Sequence, residues 1–335
     1  MARCLVATGA NLGDRRATLH QAAACLSNDP RVSLLASSEL FETVAIGGPT
    51  GQDPFLNGSL LLETSRSPEQ LLALLERIQQ QLGRVSAQRW AARALDLDLL
   101  LYENQVLRTP QLTLPHPRMT FRRFVLQPAA QIAPDMMHPQ CGWTVRRLLE
   151  HLGRSPEYVS IIGPPGVGKT RLAEVAAQQS AGRAVFDDRR PEEPPGPEPD
   201  PTGQPWDRSI ELLQCRASLL QASSWPDAAG PAISDFWFDQ SLAYARLELP
   251  SSQYDAFVAQ WQTARERVVS PKLVVWLDSS AEWPEEQMDT AWPGELRRTL
   301  RQQIRASDVG PFLDLDGRDL DDAAPEVVAA IQAMR

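Results

Sequence analysis

The run Arg89-Trp90-Ala91-Ala92-Arg93-Ala94-Leu95-Asp96-Leu97-Asp98 concentrates the groups best suited to chemistry. On a strand, Asp96 and Asp98 project from one face because side chains alternate. Two adjacent carboxylates repel and need a cation, a shared proton or solvent. Paired hard oxygen donors suit Mg²⁺, which completes its shell with phosphate oxygens and water. Arg84, Arg89, Arg93, Arg118, Arg122 and Arg123 offer planar forks for such oxygens. The combination points to magnesium–nucleotide chemistry. A solvated strand face with surface ion pairs is the competing reading of the two acids. Gly163-Pro164-Pro165-Gly166-Val167-Gly168-Lys169-Thr170 is a second phosphate signal and fits GxxxxGK[ST]. In that pattern backbone N–H groups cradle phosphates, the lysine reaches the terminal phosphates and the hydroxyl binds Mg²⁺. Lysine occurs only twice, at 169 and 272, so its place in this loop carries weight.

These groups need elements to hold them. RCLVATGANLG reads as a buried strand entering a turn, and residues 14–28 carry apolar positions at helical spacing. VSLLASSELFET reads as a strand, GGPTGQDP as a loop, and FLNGSLLLET as another strand. SPEQLLALLERIQQQLGR reads as a helix with Ser67 as N-cap, Pro68 at its first position and Gly83 closing it. LDLDLLLYE is a strand and VRRLLEHL a short helix. The order strand, helix, strand, strand, helix, strand predicts a ferredoxin-like α+β domain over 1–155. From 156 to 335 the pattern restarts with strand YVSIIG, the glycine loop and helix RLAEVAAQQ. Further helices follow (SIELLQCRASLLQA, SSQYDAFVAQWQTARERV), then LVVWLDSS, apolar throughout as in a buried parallel strand. Strands alternating with helices predict a three-layer α/β domain of the P-loop NTPase type. The proline-rich stretch 191–205 reads as an extended loop.

The chain has 335 residues, 43% of them hydrophobic and 22% charged, which is ordinary globular material for two domains. No apolar run reaches the roughly 20 residues that cross a bilayer, and no basic segment with a long apolar stretch opens the chain. Its four cysteines lack CxxC spacing, which argues against a disulfide scaffold or zinc site and suits a cytoplasmic protein. The net charge of −9 resides in the second half; the first half is arginine-rich and lysine-free. Such an acidic balance disfavours non-specific nucleic-acid binding. We therefore expect small-molecule partners, with neither nucleic acid nor membrane among them.

Residues 1–152 resemble the 6-hydroxymethyl-7,8-dihydropterin pyrophosphokinase family along the whole of that domain. The matching segments are ATGANLGD, FETVAIGGP…FLN, LGRV, RWAARALDLDLLLY and LPHPRMTFRRFVLQPAAQIAPD, in matching order and spacing. The resemblance implies transfer of diphosphate from ATP to the pterin hydroxymethyl group, releasing AMP, in folate synthesis. It implies Asp96 and Asp98 as ligands of two Mg²⁺ ions. Arg84, Arg93, His116 and Arg122 would meet the triphosphate, and Phe55 and Phe124 would sandwich the pterin, with Thr43 and Asn57 near its edge. Asp96 or its neighbours would also stand near that edge, and Trp90 would sit on a loop that closes over the reactants. Trp90-Ala91-Ala92-Arg93 stands where the family shows Trp-Gly-Pro-Arg, Ser86 replaces an arginine, Gln79 an acidic residue and Ala45 a proline.

ISDFWFDQSLAYARLEL and VVSPKLVVWLDSS resemble the deoxynucleoside kinase family. That implies ATP held by Gly163, Gly166, Gly168, Lys169 and Thr170, with Thr170 on Mg²⁺. The base would be Asp187 or Asp188 after the second strand, or Asp235 after the third. The acceptor would be a deoxynucleoside, and a homodimer would form through this domain. The chain departs from that pattern where Phe236, not arginine, follows Asp235 and where the lid segment is acidic. The alternative for this domain is an inactive nucleotide-binding module that regulates or stabilises its partner.

Overall fold

The computed structural model describes residues 1–49, 51–83, 92–187, 205–225, 230–278, 292–306 and 310–335. The chain divides into two compact units, one of residues 1–154 with 332–335 and one of residues 155–331.

The first unit runs β1 (Ala2–Ala10), α1 (Arg15–Ser27), β2 (Val32–Ser37), β3 (Phe41–Thr43), β4 (Phe55–Thr64), α2 (Pro68–Gln81) and β5 (Asp96–Tyr102). The short pair β6 (Leu107–Arg108) and β7 (Thr113–Leu114) follows. Then come α3 (Arg123–Ile132), the hairpin β8 (Met137–His138) and β9 (Trp143–Thr144), and α4 (Val145–Arg154). The main sheet has the order β2-β4-β1-β5, with β3 paired to β4, and every pair is antiparallel. Asp14 caps α1 by accepting from Ala17 N–H at 3.0 Å. Ser67 and Gln70 form a reciprocal capping box on α2, with Pro68 in the first turn where its missing N–H costs nothing. Leu19, Leu26, Leu71, Leu75 and Ile78 from these helices share one core with Val6, Leu56, Leu97 and Leu99 from the sheet. Because β5 alternates, burying Leu97 and Leu99 in that core turns Asp96 and Asp98 to the other face.

The structure corrects two sequence readings. The stretch 32–43 is not one strand: Ser37 pairs with Leu60 and Phe41 with Asn57, so residues 38–40 stand opposite only Gly58 and Ser59. The extra residue bulges, and Ser38 Oγ accepts from Ser59 N–H at 2.8 Å. A further helix, α3, stands where no element was expected, and it contains Pro128. That proline forgoes one helical hydrogen bond, and the buried Val125, Leu126 and Ala129 compensate.

The second unit holds β10 (Tyr158–Ile162), α5 (Lys169–Gln179), β11 (Arg183–Val185), α6 (Pro205–Leu219), β12 (Ala232–Ser234), α7 (Gln240–Glu248), α8 (Ser251–Arg265), β13 (Leu273–Asp278) and β14 (Phe312–Asp316). Helices Trp292–Ala306 and Leu320–Met334 flank β14 in sequence. The five strands form a parallel sheet in the order β11-β12-β10-β13-β14. β10 lies between β12 and β13, so chain connections diverge at its carboxyl end, where open α/β sheets receive ligands. The proline-rich residues 191–204 lie outside the described residues, and Pro205 opens α6. No described helix is long and apolar enough to cross a membrane.

The β8–β9 hairpin carries a titrating group. His138 is buried and its Nδ1 accepts from Cys141 N–H at 3.3 Å. Burial pushes its pKa down to about 4. The unfolded ring gains its proton near pH 6.5, the folded ring only near 4. Its contribution is whole above pH 6.5 and is lost as pH falls toward 4, by about 1.4 kcal/mol per unit. Urea unfolding of His138→Gln should therefore show a shallower loss of stability across that window than the parent; equal slopes would exclude the assignment.

Candidate active site

The centre strand of the first sheet presents Ala7 and Gly9 on the face away from α1 and α2. Gly9 pairs with Asn57 of β4 on one side and Asp96 of β5 on the other; Ala7 pairs with Ser59 and Asp98. Small residues in the middle leave a floor between two polar walls. A Cβ at Gly9 would come within 3.0 Å of Asn57 Oδ1. Above this floor lies a cavity of about 270 Å³.

Ten of the residues singled out in the sequence line it: Thr43, Phe55, Asn57, Arg93, Asp96, Asp98, His116, Arg118, Arg122 and Phe124. They come from β3, β4, β5, α3 and the segments before β5 and α3, so only the folded sheet assembles them. Arg84 and Trp90 lie outside the described residues. Arg93 Nη1 donates to Asp96 Oδ1 at 3.0 Å. Asn57 Nδ2 donates to Thr43 Oγ1 at 2.7 Å. The Arg122 guanidinium sits 5.5 Å from the Phe124 ring centroid. His116 Nδ1 accepts from Arg118 N–H at 3.2 Å, which leaves Nε2 to carry the ring proton. Desolvation and the nearby Arg122 and Arg118 hold the His116 pKa down to about 3, against a smaller opposing effect of Asp96. His116 is therefore a neutral hydrogen-bond donor at any ordinary pH.

Two supporting residues escaped the reading of motifs as ligand contacts. Asn11 is buried; its Oδ1 accepts from Arg93 N–H at 2.7 Å, and its own N–H donates to Arg93 O at 3.0 Å. This two-bond clamp sets where the arginine leaves the backbone. Gln79 is buried at the end of α2, and its Oε1 accepts from Leu97 N–H at 3.1 Å, between the two acids on the edge strand β5. An amide supplies that acceptor as a carboxylate would, without adding charge beside the acidic pair. The cavity also takes Gln52, Val44 and Ile46 as lining, residues whose types carry no chemical signal of their own.

Among the described residues no group of three or more His, Cys, Asp or Glu could hold a metal. Asp96 and Asp98 are instead two oxygen donors at a cavity edge, leaving the remaining positions to phosphate and water. That donor set fits Mg²⁺ bound together with a polyphosphate. The arrangement can offer Arg93, His116 and Arg122 to an anionic chain and Phe55 and Phe124 to a flat ring.

In the second unit the glycine loop joins β10 to α5. Gly166 and Gly168 adopt φ of +81° and +88°, conformations that favour glycine. A Cβ on Gly163 would meet Leu277 O at 2.0 Å, so the loop packs against β13 as only glycine allows. Lys169 Nζ donates to Pro164 O at 2.8 Å. Desolvation lowers the Lys169 pKa to about 8, with Asp235 opposing and Arg216 adding to the shift. Thr170 Oγ1 donates to Asp235 Oδ2 at 2.6 Å, and Asp187 N–H to Asp235 Oδ1 at 3.3 Å. Asp188 lies outside the described residues. A threonine hydroxyl joined to a carboxylate beside a phosphate loop fits a nucleotide-bound Mg²⁺.

Residues 5–134 match the family model described as 7,8-dihydro-6-hydroxymethylpterin-pyrophosphokinase. A 2-amino-4-hydroxy-6-hydroxymethyldihydropteridine pyrophosphokinase of Synechocystis is 38% identical over 148 residues, 44% of this chain and 75% of that protein. The enzyme of the same name from Bacillus subtilis is 42% identical over 131 residues, 39% of this chain and 78% of that protein. A deoxyadenosine kinase from M. mycoides with products bound aligns over 51% of this chain and 96% of its own, at 13% identity and a TM-score of 0.36, a likeness from which nothing follows. The two sequence relatives are each matched over more than two thirds of their length. On that ground this chain belongs to the 2-amino-4-hydroxy-6-hydroxymethyldihydropteridine pyrophosphokinase family.

Proposed function

We propose that the first unit, a ferredoxin-like domain, transfers diphosphate from ATP to the hydroxymethyl group of 6-hydroxymethyl-7,8-dihydropterin, releasing AMP, as a step of folate biosynthesis. The observation that carries this reading is one cavity where the acidic pair, three cationic or hydrogen-donating groups and two aromatic rings converge. Phe55 and Phe124 take the pterin ring by stacking, and the joined Thr43 and Asn57 side chains meet its polar edge. Asp96 and Asp98 would hold two Mg²⁺ ions, which would neutralise the phosphates and lower the pKa of the attacking hydroxyl. Arg93 leaves Asp96 for the triphosphate, while neutral His116 and cationic Arg122 donate to phosphate oxygens as charge develops. Arg84 and Trp90 belong to the same site by resemblance. An assay that separates AMP from ADP tests this: AMP should form only when the pterin is present. Pterin-independent ADP alone would reject it.

The second unit is read as a P-loop domain that phosphorylates a (deoxy)nucleoside from ATP. Gly163, Gly166, Gly168, Lys169 and Thr170 hold the nucleotide with Mg²⁺, and Asp187, Asp188 or Asp235 accepts the proton. The strand order with its divergence at β10 and the Thr170–Asp235 contact support it. Lys169→Ala should weaken ATP binding to this unit at least about tenfold, since it removes a charge-assisted phosphate contact. Pterin-dependent AMP release should stay near the parent rate. Loss of AMP release in a folded Lys169→Ala protein would mean that the phosphate sites are not independent.

A further inference from the structure

Arg216 belongs to no motif, yet it is among the most enclosed cations of the second unit. Its side chain is 5% exposed and its Nε lies 2.8 Å from Asp187 Oδ2, on a carboxylate 12% exposed. Nη1 donates to Ser241 Oγ at 2.8 Å. The guanidinium also lies 5.7 Å from the Phe236 ring centroid and 5.8 Å from that of Tyr244. A buried ion pair is weak evidence for stability, because desolvation offsets the attraction. Its place beside the phosphate loop suggests another reason for it, and the field of Arg216 reaches Lys169.

The two aspartates of this site are held differently. Asp235 has both oxygens engaged, one by Thr170 Oγ1 and one by Asp187 N–H. Asp187 has Oδ2 fixed by Arg216, while Oδ1 is buried with no hydrogen-bond partner among the described residues. A carboxylate with one oxygen anchored and the other unpartnered can take a proton from a ligand. Asp235 is instead engaged on both oxygens, by the phosphate-loop threonine and by the backbone that follows β11.

We propose that Arg216 is the positioning residue of the second site. It occupies, from helix α6, the space over Phe236 and aims Asp187 Oδ1 at the hydroxyl of an alcohol-bearing acceptor such as a nucleoside. This rests on reading the unit as a kinase. The acceptor oxygen forms its bond to the γ-phosphorus of ATP, the bond from that phosphorus to the β,γ-bridging oxygen breaks, and its electron pair leaves with ADP. The acceptor proton passes to Asp187 Oδ1. Asp235 stays with Thr170 on the metal side and takes no proton.

The test uses the full chain with Mg²⁺ and ATP, a panel of ribo- and deoxyribonucleosides, and mass spectrometry of the monophosphates formed. Asp187→Asn should lower monophosphate formation at least about a hundredfold, the usual scale for a lost general base. Arg216→Met should lower kcat at least about tenfold with KM for ATP unchanged, and Arg216→Lys should recover part of that loss, because a cation without the planar fork still pairs with Asp187. Parent-like turnover in Asp187→Asn, or in a folded Arg216→Met, overturns the proposal. So does a change confined to KM for ATP. Should Arg216→Met not fold, Arg216→Lys and Asp187→Asn decide. No monophosphate from any nucleoside with the parent protein would overturn the kinase reading itself, and the role of Arg216 with it.

Discussion

Asp98→Asn should lower pterin-dependent AMP release by at least about two orders of magnitude, and Asp96→Asn should do the same. Asparagine keeps the size of the side chain and one oxygen donor but removes the charge that a hard cation needs. With one carboxylate missing, the charge of the triphosphate is less well compensated as the β-phosphorus is transferred. Electrostatic contributions of this kind are worth about 3 kcal/mol or more. Folding should survive, because Leu97 and Leu99 anchor β5 in the core and both acids lie on the opposite face. Relief of repulsion between two neighbouring carboxylates should even raise stability slightly. The readout is AMP release at saturating Mg²⁺ from variants with unchanged circular dichroism. Near-parent turnover in either variant would make the pair a solvated strand face.

Arg93→Met should have an effect of similar size, about a hundredfold in turnover, for a different reason. The arginine backbone is clamped by Asn11, and its guanidinium donates to Asp96. This pairing sets the cation at the cavity wall, where a phosphate chain would meet it. Methionine preserves much of the aliphatic stem but supplies neither donor nor charge. We expect kcat to fall and pterin affinity to change little, since the proposed pterin contacts are Phe55, Phe124 and Asn57. Isothermal titration with the pterin alone, beside turnover, checks that division. A variant that loses pterin affinity while keeping kcat would place Arg93 at the wrong end of the site.

Much of this site was legible because its residues carry distinctive chemistry in short runs. Asp96 and Asp98 announce themselves by alternation, and Lys169 by being one of only two lysines. The aromatic and amide residues Phe55, Asn57 and Phe124 were legible only through resemblance; by type alone each could be core. Asn11 and Gln79 act through backbone groups of Arg93 and Leu97, and such contacts leave no spacing signal across 82 and 18 residues of chain. The same holds for Arg216, whose partner Asp187 is 29 residues away. In the fold, helices with caps and strands with alternation were read from local rules. The break between β2 and β3 was not, because it answers to pairing with β4. Helix α3 was not either, since its packing outweighs the proline within it.

The central claim is that a diphosphate moves as one unit onto the pterin. The direct measurement is the mass of the pterin product formed by the full chain with Mg²⁺ and ATP bearing ¹⁸O at the non-bridging oxygens of its β- and γ-phosphates. The account predicts a product that has gained two phosphoryl groups with their label, matched one for one by unlabelled AMP. A pterin carrying a single phosphoryl group beside ADP, or an unchanged pterin, would contradict it.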